Sequence, residues 1–133
     1  MASIEMIEEE AATGKVKEIY KEIKDTLGID FTPNMYKAMA LNPSYLAASW
    51  NKIQAIMNQT GKHDDLTKAI IALTVSTMNG CAYCITVYTA AVRTYGLDDD
   101  GLTEVVAVID LFSGLNKFNT GLDVEMDEKP WFG

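Results

Sequence analysis

Apolar residues recur at helical spacing along nearly the whole chain. Val16, Ile19, Tyr20, Ile23 and Leu27 fall at i, i+3, i+4, i+7 and i+11, one face of a 3.6-residue helix, and Gly28 stands where a helix stop is expected. Thr32-Pro33 and Asn42-Pro43 are start signals of one chemistry, a side chain that caps free backbone N–H groups followed by a proline suited to the first helical position. The first predicts a short helix over residues 34–41. The second predicts a longer one that turns Leu46, Trp50, Ile53 and Met57 inward and ends near Thr60-Gly61. Asp64 or Asp65 is placed to cap a fourth helix reaching Met78, and Gly80 separates it from a fifth that continues to Tyr95 and stops at Gly96. Asp98 caps a sixth, in which Leu102, Val105, Val106, Ile109 and Phe112 keep the helical period. Residues 123–133 are acidic, carry Pro130-Trp131-Phe132, and read as an irregular tail whose aromatics suit docking on a neighbour. No run of strict alternation is long enough for a strand, and no repeat or low-complexity tract interrupts the pattern. The expected fold is all-α, one domain over residues 1–133 with about six helices and a central antiparallel helix hairpin.

Composition narrows the chemistry. A chain of 133 residues can bury roughly two-thirds of its unfolded surface, so it needs neither disulfide staples nor a structural metal to fold. Its net charge of −8 and the lack of any Lys/Arg cluster argue against nucleic acid or an anionic membrane surface as a partner. Two cysteines and one histidine cannot complete a four-ligand zinc site within one chain. Residues 1–10 hold no basic stretch followed by an apolar run, and residues 8–10 are all Glu, which excludes a signal or transit peptide and leads to an expected cytoplasmic location. The uncharged stretch over residues 69–92 has the length of a membrane span. It also holds Thr74, Ser76, Thr77, Thr86 and Thr89, with an Asn79-Gly80 break at its middle, and therefore reads as two short buried helices.

The dense chemical signal is Asn79-Gly80-Cys81-Ala82-Tyr83-Cys84. With the first cysteine in the opening turn of a helix and the second inside it, both sulfurs lie near one end and within bonding reach. First-turn N–H groups have no intrahelical acceptor and the helix dipole is positive there, so thiolate is favoured over thiol. Thiol pKa values in such settings fall from about 8.5 to roughly 3.5–7.5. A thiolate with a second thiol beside it can attack a peroxide or disulfide and be resolved by its neighbour. Other readings of the pair are weaker. Half a zinc knuckle lacks its second half, a c-type haem site needs His where Ile85 stands, and thioredoxin-like chemistry needs strands. Two buried cysteines acting as small hydrophobes remain an alternative. His63, in the turn before the fourth helix, is too far from Cys81 in its own chain to serve it and reads as a surface residue. Thr77 reads as a threonine bonding its own helix backbone.

These residues resemble a family. Leu73-Thr74-Val75-Ser76 leading into Asn79-Gly80-Cys81-Ala82-Tyr83-Cys84 and then Thr89-Ala90-Ala91 is similar to the core of the carboxymuconolactone decarboxylase superfamily, in its alkylhydroperoxidase AhpD-like branch. Ala12-Thr13-Gly14-Lys15-Val16 with Ile19-Tyr20 upstream, and Leu111-Phe112-Ser113-Gly114-Leu115-Asn116-Lys117 downstream, extend the likeness over roughly residues 8–120. The resemblance implies an all-helical fold that assembles into trimers or hexamers. It also implies a Cys81/Cys84 pair that reduces hydroperoxides, binds no cofactor, and is recharged by an external dithiol such as a lipoyl group, carried by a lipoyl-bearing or peroxiredoxin partner. Assembly has independent support, since helices apolar on all sides must be covered on all sides.

The sequence departs from that branch at its proton relay. A Glu twelve residues before the first Cys and a His four after the second belong to the pattern; here those positions are Ala69 and Tyr88. A phenol, with a pKa of about 10, donates a hydrogen bond but is a poor base at neutral pH. Tyr88 lies one turn from Cys84 on the same face and is the candidate hydrogen-bond donor, the alternative being a plain core tyrosine. The family pattern favours Cys84 as the attacking thiol; the dipole argument favours Cys81.

The leading expectation is therefore a thiol-dependent oxidoreductase of alkylhydroperoxidase or peroxiredoxin type. It would reduce hydroperoxides or disulfides in antioxidant defence through a reversible Cys81–Cys84 disulfide, slowed by the missing relay. The alternatives are a helical oligomer whose cysteines sense redox state without catalysis, and a decarboxylase-type enzyme of the same superfamily.

Overall fold

The computed structural model describes residues 1–132, and among them six α-helices and one short 3-10 turn (Glu9–Ala11) account for the regular structure, with no strand. The helices are α1 (Gly14–Leu27), α2 (Asn34–Met39), α3 (Pro43–Met57), α4 (Asp65–Met78), α5 (Ala82–Thr94) and α6 (Asp99–Gly121). They divide into two compact units, Met1–Gln59 and the chain from Thr60 onward.

In the first unit the apolar face of α1 is buried as its spacing predicts: Val16, Ile19, Tyr20 and Ile23 pack with Tyr36, Ala40, Leu46 and Trp50. Leu27 departs from that face and is exposed in the last turn before Gly28. Tyr36 meets Trp50 edge-on, with ring centroids 5.6 Å apart and planes at 88°, the arrangement that sets the positive ring edge on a negative face. The Tyr20 hydroxyl donates to the Ile7 carbonyl at 2.8 Å. Burial first, and then the charges of Glu8 and Glu9, push its pKa up to about 12. Glu9 ties the unit together: one carboxylate oxygen accepts from Lys24 Nζ at 2.6 Å and the other from the Thr32 backbone N–H at 2.6 Å.

Two of the expected caps in this unit had different outcomes. The Asn42 side chain accepts from the Tyr45 N–H at 3.1 Å and holds the start of α3. Thr32 does not cap α2. The helix starts at Asn34, so Pro33 occupies the cap position and has no side-chain acceptor, while the Thr32 side chain, one residue too early, is buried.

In the second unit Asp64 accepts from the Thr67 N–H, and Asp98 from the Gly101 N–H, each at 2.8 Å, so both carboxylates cap their helices as expected. α4 and α5 form the antiparallel hairpin, with Ala69 and Leu73 of α4 buried against Val92 of α5. Leu102 and Val105 of α6 pack on the same cluster, and Ile109 is buried. The other two α6 residues with the expected spacing, Val106 and Phe112, are 46% and 54% exposed. The helix period is thus correct while only part of the stripe is covered within this chain. Arg93 in the last turn of α5 pairs with Asp99 in the first turn of α6 at 2.6 Å. No helix among the described residues is long and apolar enough to cross a membrane.

Candidate active site

The turn between α4 and α5 is built by backbone chemistry that needs one glycine. The Gly80 N–H donates to the Thr77 carbonyl at 3.1 Å and the Cys81 N–H to the Ser76 carbonyl at 3.0 Å. This pair of bonds closes a helix through a left-handed residue. Gly80 is that residue, at φ +67°, where a Cβ would press on the following carbonyl.

Cys81 thus terminates α4 and begins α5 at once. The spacing placed it in the opening turn of α5; the structure puts it one step earlier, as the cap itself, with φ −82° and ψ 92°. Its sulfur performs the work a Ser or Asp oxygen does at other helix starts, accepting the Cys84 backbone N–H at 3.3 Å. The Cys84 thiol, then the Cys84 amide, with a smaller contribution from Tyr83, hold the Cys81 thiol below its ordinary pKa, against an opposing effect of desolvation. The geometry sets Cys84 the other way. The hydrogen bond to Cys81 favours its protonated form, burial and the negative charge on Cys81 reinforce that, and its pKa is raised. Both thiols are free and partly exposed, and their environments push them in opposite directions, Cys81 below and Cys84 above the ordinary thiol range.

Tyr88 lies a turn beyond Cys84 and packs against the Ala69/Leu73/Val92 cluster. Burial, followed by the charges of Cys84 and Tyr95, raises its pKa, so its phenol keeps the proton at neutral pH. Ala69 is 1% exposed; a carboxylate there would have to be desolvated inside this core. The Thr77 hydroxyl donates to the Leu73 carbonyl at 2.8 Å, the helix-backbone bond expected of it, and His63 is exposed.

Ser76 is a site residue that sequence reasoning missed. Its hydroxyl donates to the Ala72 carbonyl at 2.6 Å and lies within hydrogen-bonding reach of the Cys84 sulfur, where it favours the thiolate. The signal lay in the quoted Leu73-Thr74-Val75-Ser76 run, but only folding of the hairpin carries Ser76 to Cys84.

An all-helical chain with a dithiol at the head of a hairpin helix defines a class. A crystal structure of the alkylhydroperoxidase AhpD core from Rhodospirillum rubrum shares this fold with a TM-score of 0.90 and 33% identity, covering 96% of each chain. The chain belongs to the carboxymuconolactone decarboxylase family, whose sequence profile matches residues 43–124. Over 72 residues, 51% of this chain, it is also 38% identical to the (R)-2-haloacid dehalogenase of Pseudomonas putida, and the match spans about a quarter of that protein, 24% of its length. Fold and family together place the function in the broad alkylhydroperoxidase-like class of this superfamily.

Proposed function

We propose that this chain is a dithiol peroxidase that reduces alkyl hydroperoxides, or small disulfides, through a reversible Cys81–Cys84 disulfide in antioxidant defence. The observation that carries this reading is the Cys81 sulfur at the cap of α5, partly exposed, accepting the Cys84 backbone N–H at 3.3 Å and lying beside a second thiol. This placement lowers the cost of the anion that performs the attack. The Cys81 thiolate takes the terminal peroxide oxygen; the O–O bond breaks, an alcohol departs, and Cys81 becomes a sulfenic acid. Cys84 then attacks that sulfur and the oxygen leaves as water. An external dithiol of lipoyl type, on a lipoyl-bearing or peroxiredoxin partner, reopens the disulfide by exchange and carries the two electrons in. Tyr88, held as the neutral phenol, serves as a hydrogen-bond donor beside Cys84 and not as a base. No bound cofactor takes part in this cycle.

Self-association to a trimer or hexamer belongs to the same proposal. Ile71, Val75, Val87, Val106 and Phe112 are all about half exposed on α4, α5 and α6, and an apolar patch of that kind marks an interaction surface. The proposed setting is cytoplasmic, where thiols are kept reduced.

The test is a fully reduced sample given one equivalent of an alkyl hydroperoxide. Both thiols should disappear together with loss of two hydrogens per chain, and Cys81→Ser should abolish the reaction. If the thiols persist, or Cys81→Ser matches the wild type, the proposal fails. An (R)-2-haloacid offered in parallel should release no halide.

A further inference from the structure

We propose that Met78 is a reversible oxidation site for hydroperoxides, and that Ser113 on the facing helix binds the oxygen its sulfur gains. The inference does not need the cysteine pair to react, so it stands apart from the peroxide-reducing reading above. Met78 is the last residue of α4, three residues before Cys81, and is 55% exposed. It lines one end of a groove of about 420 Å³ between α4 and α6, together with Thr74, Phe112 and Ser113. Met35 and Met39 differ, since they pack against the core of the first unit.

The surroundings of the sulfur leave it reactive. The Ser113 hydroxyl lies 3.2 Å from Met78 Sδ and 2.7 Å from the Ile109 carbonyl oxygen. A hydroxyl has one proton and a thioether is the weaker acceptor, so the proton goes to the carbonyl and the sulfur lone pairs stay free for attack. The step balances as follows. Met78 Sδ attacks the terminal oxygen of ROOH and the O–O bond breaks. The proton on the transferred oxygen passes to RO⁻, which leaves as ROH, and the sulfur becomes a sulfoxide. The thioether gives up two electrons and the peroxide takes them. Sulfoxide reductases that draw on thiols return the sulfoxide to the thioether.

Oxidation reverses the preference of Ser113. The sulfoxide is polar where the thioether was not, and its oxygen competes for the hydroxyl proton that the sulfur could not hold. A bond within α6 is thereby exchanged for one that spans α6 and α4. The exchange costs α6 little, because the Ile109 carbonyl is also the acceptor of the helix bond from the Ser113 amide. Ser113 also acts during the transfer. Each of the two lone pairs on the sulfur leads to one sulfoxide epimer, and a donor fixed beside the sulfur favours oxygen arriving where it can be bound.

The experiment uses the full chain with Cys81→Ser and Cys84→Ser, so that no thiol consumes the oxidant and serine still supplies a cap for α5. Hydrogen peroxide is added, and mass spectrometry follows the peptides that carry Met78 and Met126. Met78 should oxidise at roughly half the rate of Met126, in proportion to exposures of 55% and 93%. A Met78 left intact when Met126 is fully converted overturns the proposal; that is the outcome if a second copy covers the groove. The epimers are then told apart with the two methionine sulfoxide reductases, each of which accepts one of them. A hydrogen bond of ordinary strength, formed as the oxygen arrives, should give an excess of about fivefold in one epimer at Met78, with equal amounts at Met126. Ser113→Ala should bring Met78 to equal amounts and Ser113→Thr should restore the excess. Equal epimers in the Ser113 protein, or an excess that survives Ser113→Ala, overturns the role of Ser113. Because both cysteines are replaced, these results are the same whether or not the thiols reduce peroxide.

Discussion

Replacing Gly80 by alanine isolates what the hairpin turn costs. Gly80 sits at φ +67° and a Cβ built on it meets no atom within 4 Å, so the penalty comes from the backbone alone. Forcing an L-residue into the left-handed region costs about 1–2 kcal/mol, and the smaller entropy of the unfolded alanine chain recovers only part of it. The net loss should be about 1 kcal/mol, which for a unit of this size lowers the melting midpoint by roughly 4–8 °C. Gly114 provides the reference. It lies inside α6, its Cβ also meets nothing within 4 Å, and its φ is not positive. There the same substitution should stabilise by up to about 1 kcal/mol, since alanine favours a helix interior over glycine. Thermal unfolding by circular dichroism reads both signs. The Gly80 variant should also alkylate more slowly at Cys81, because a distorted turn pulls the sulfur off its amide donors. A Gly80→Ala protein as stable as the wild type, or two variants shifting in the same direction, would show that the turn is not held by a left-handed glycine.

Two further outcomes follow from the charge geometry. Cys84→Ala removes the thiol that donates to Cys81, the largest cause of its lowered pKa, so the midpoint for Cys81 alkylation should rise toward that of a free cysteine; an unchanged or lower midpoint refutes the assignment. Glu9 is held below the usual carboxylate range, first by Lys24 and then by the Thr32 amide. Its contribution to stability is thus fully present above the unfolded carboxylate pKa and is lost as pH falls through the lower folded value. Acid titration of the wild type against Glu9→Gln should show a difference in stability that narrows with falling pH, and a gap that is constant across the acidic range contradicts it.

The sequence was most legible where a single residue decides a local bond. Asn42, Asp64 and Asp98 cap as their chemistry requires, and Gly28, Gly80 and Gly96 stand with positive φ where helices stop. Legibility failed where the decision is made across space. Thr32 has the chemistry of a cap, yet its side chain is drawn into the interior and its amide is bound by Glu9, twenty-three residues away, leaving Pro33 at the cap position. The last apolar positions of α6 satisfy the helix period without being buried in this chain, because periodicity reports which side faces a partner and not whether the partner is in the same chain. At the site, the cysteine pair was evident from its spacing. The cap role of Cys81 was not, since sulfur is outside the usual set of capping atoms. Ser76 was hidden by the hairpin, which brings a residue of α4 against one of α5.

The overlap of two backbone devices at one residue explains why the dyad is asymmetric. Cys81 donates its N–H backward to Ser76, closing α4, and accepts an N–H forward from Cys84, opening α5. Its backbone is fixed from both sides, so its sulfur is oriented before any substrate arrives, which is the condition for electrostatic preorganisation. Cys84 lies one turn deeper, where its own amide is spent on Cys81 and its sulfur faces α4 with less water around it. Two identical side chains three residues apart thereby acquire opposite tendencies, one toward the anion and one toward the proton. A disulfide mechanism needs that division of labour. Two thiolates at contact distance would repel, so the pair loses its protons in two separate steps and keeps one of them over the range between. Moving the cap residue by a single position would break the arrangement, because the sulfur would leave the amides that select it.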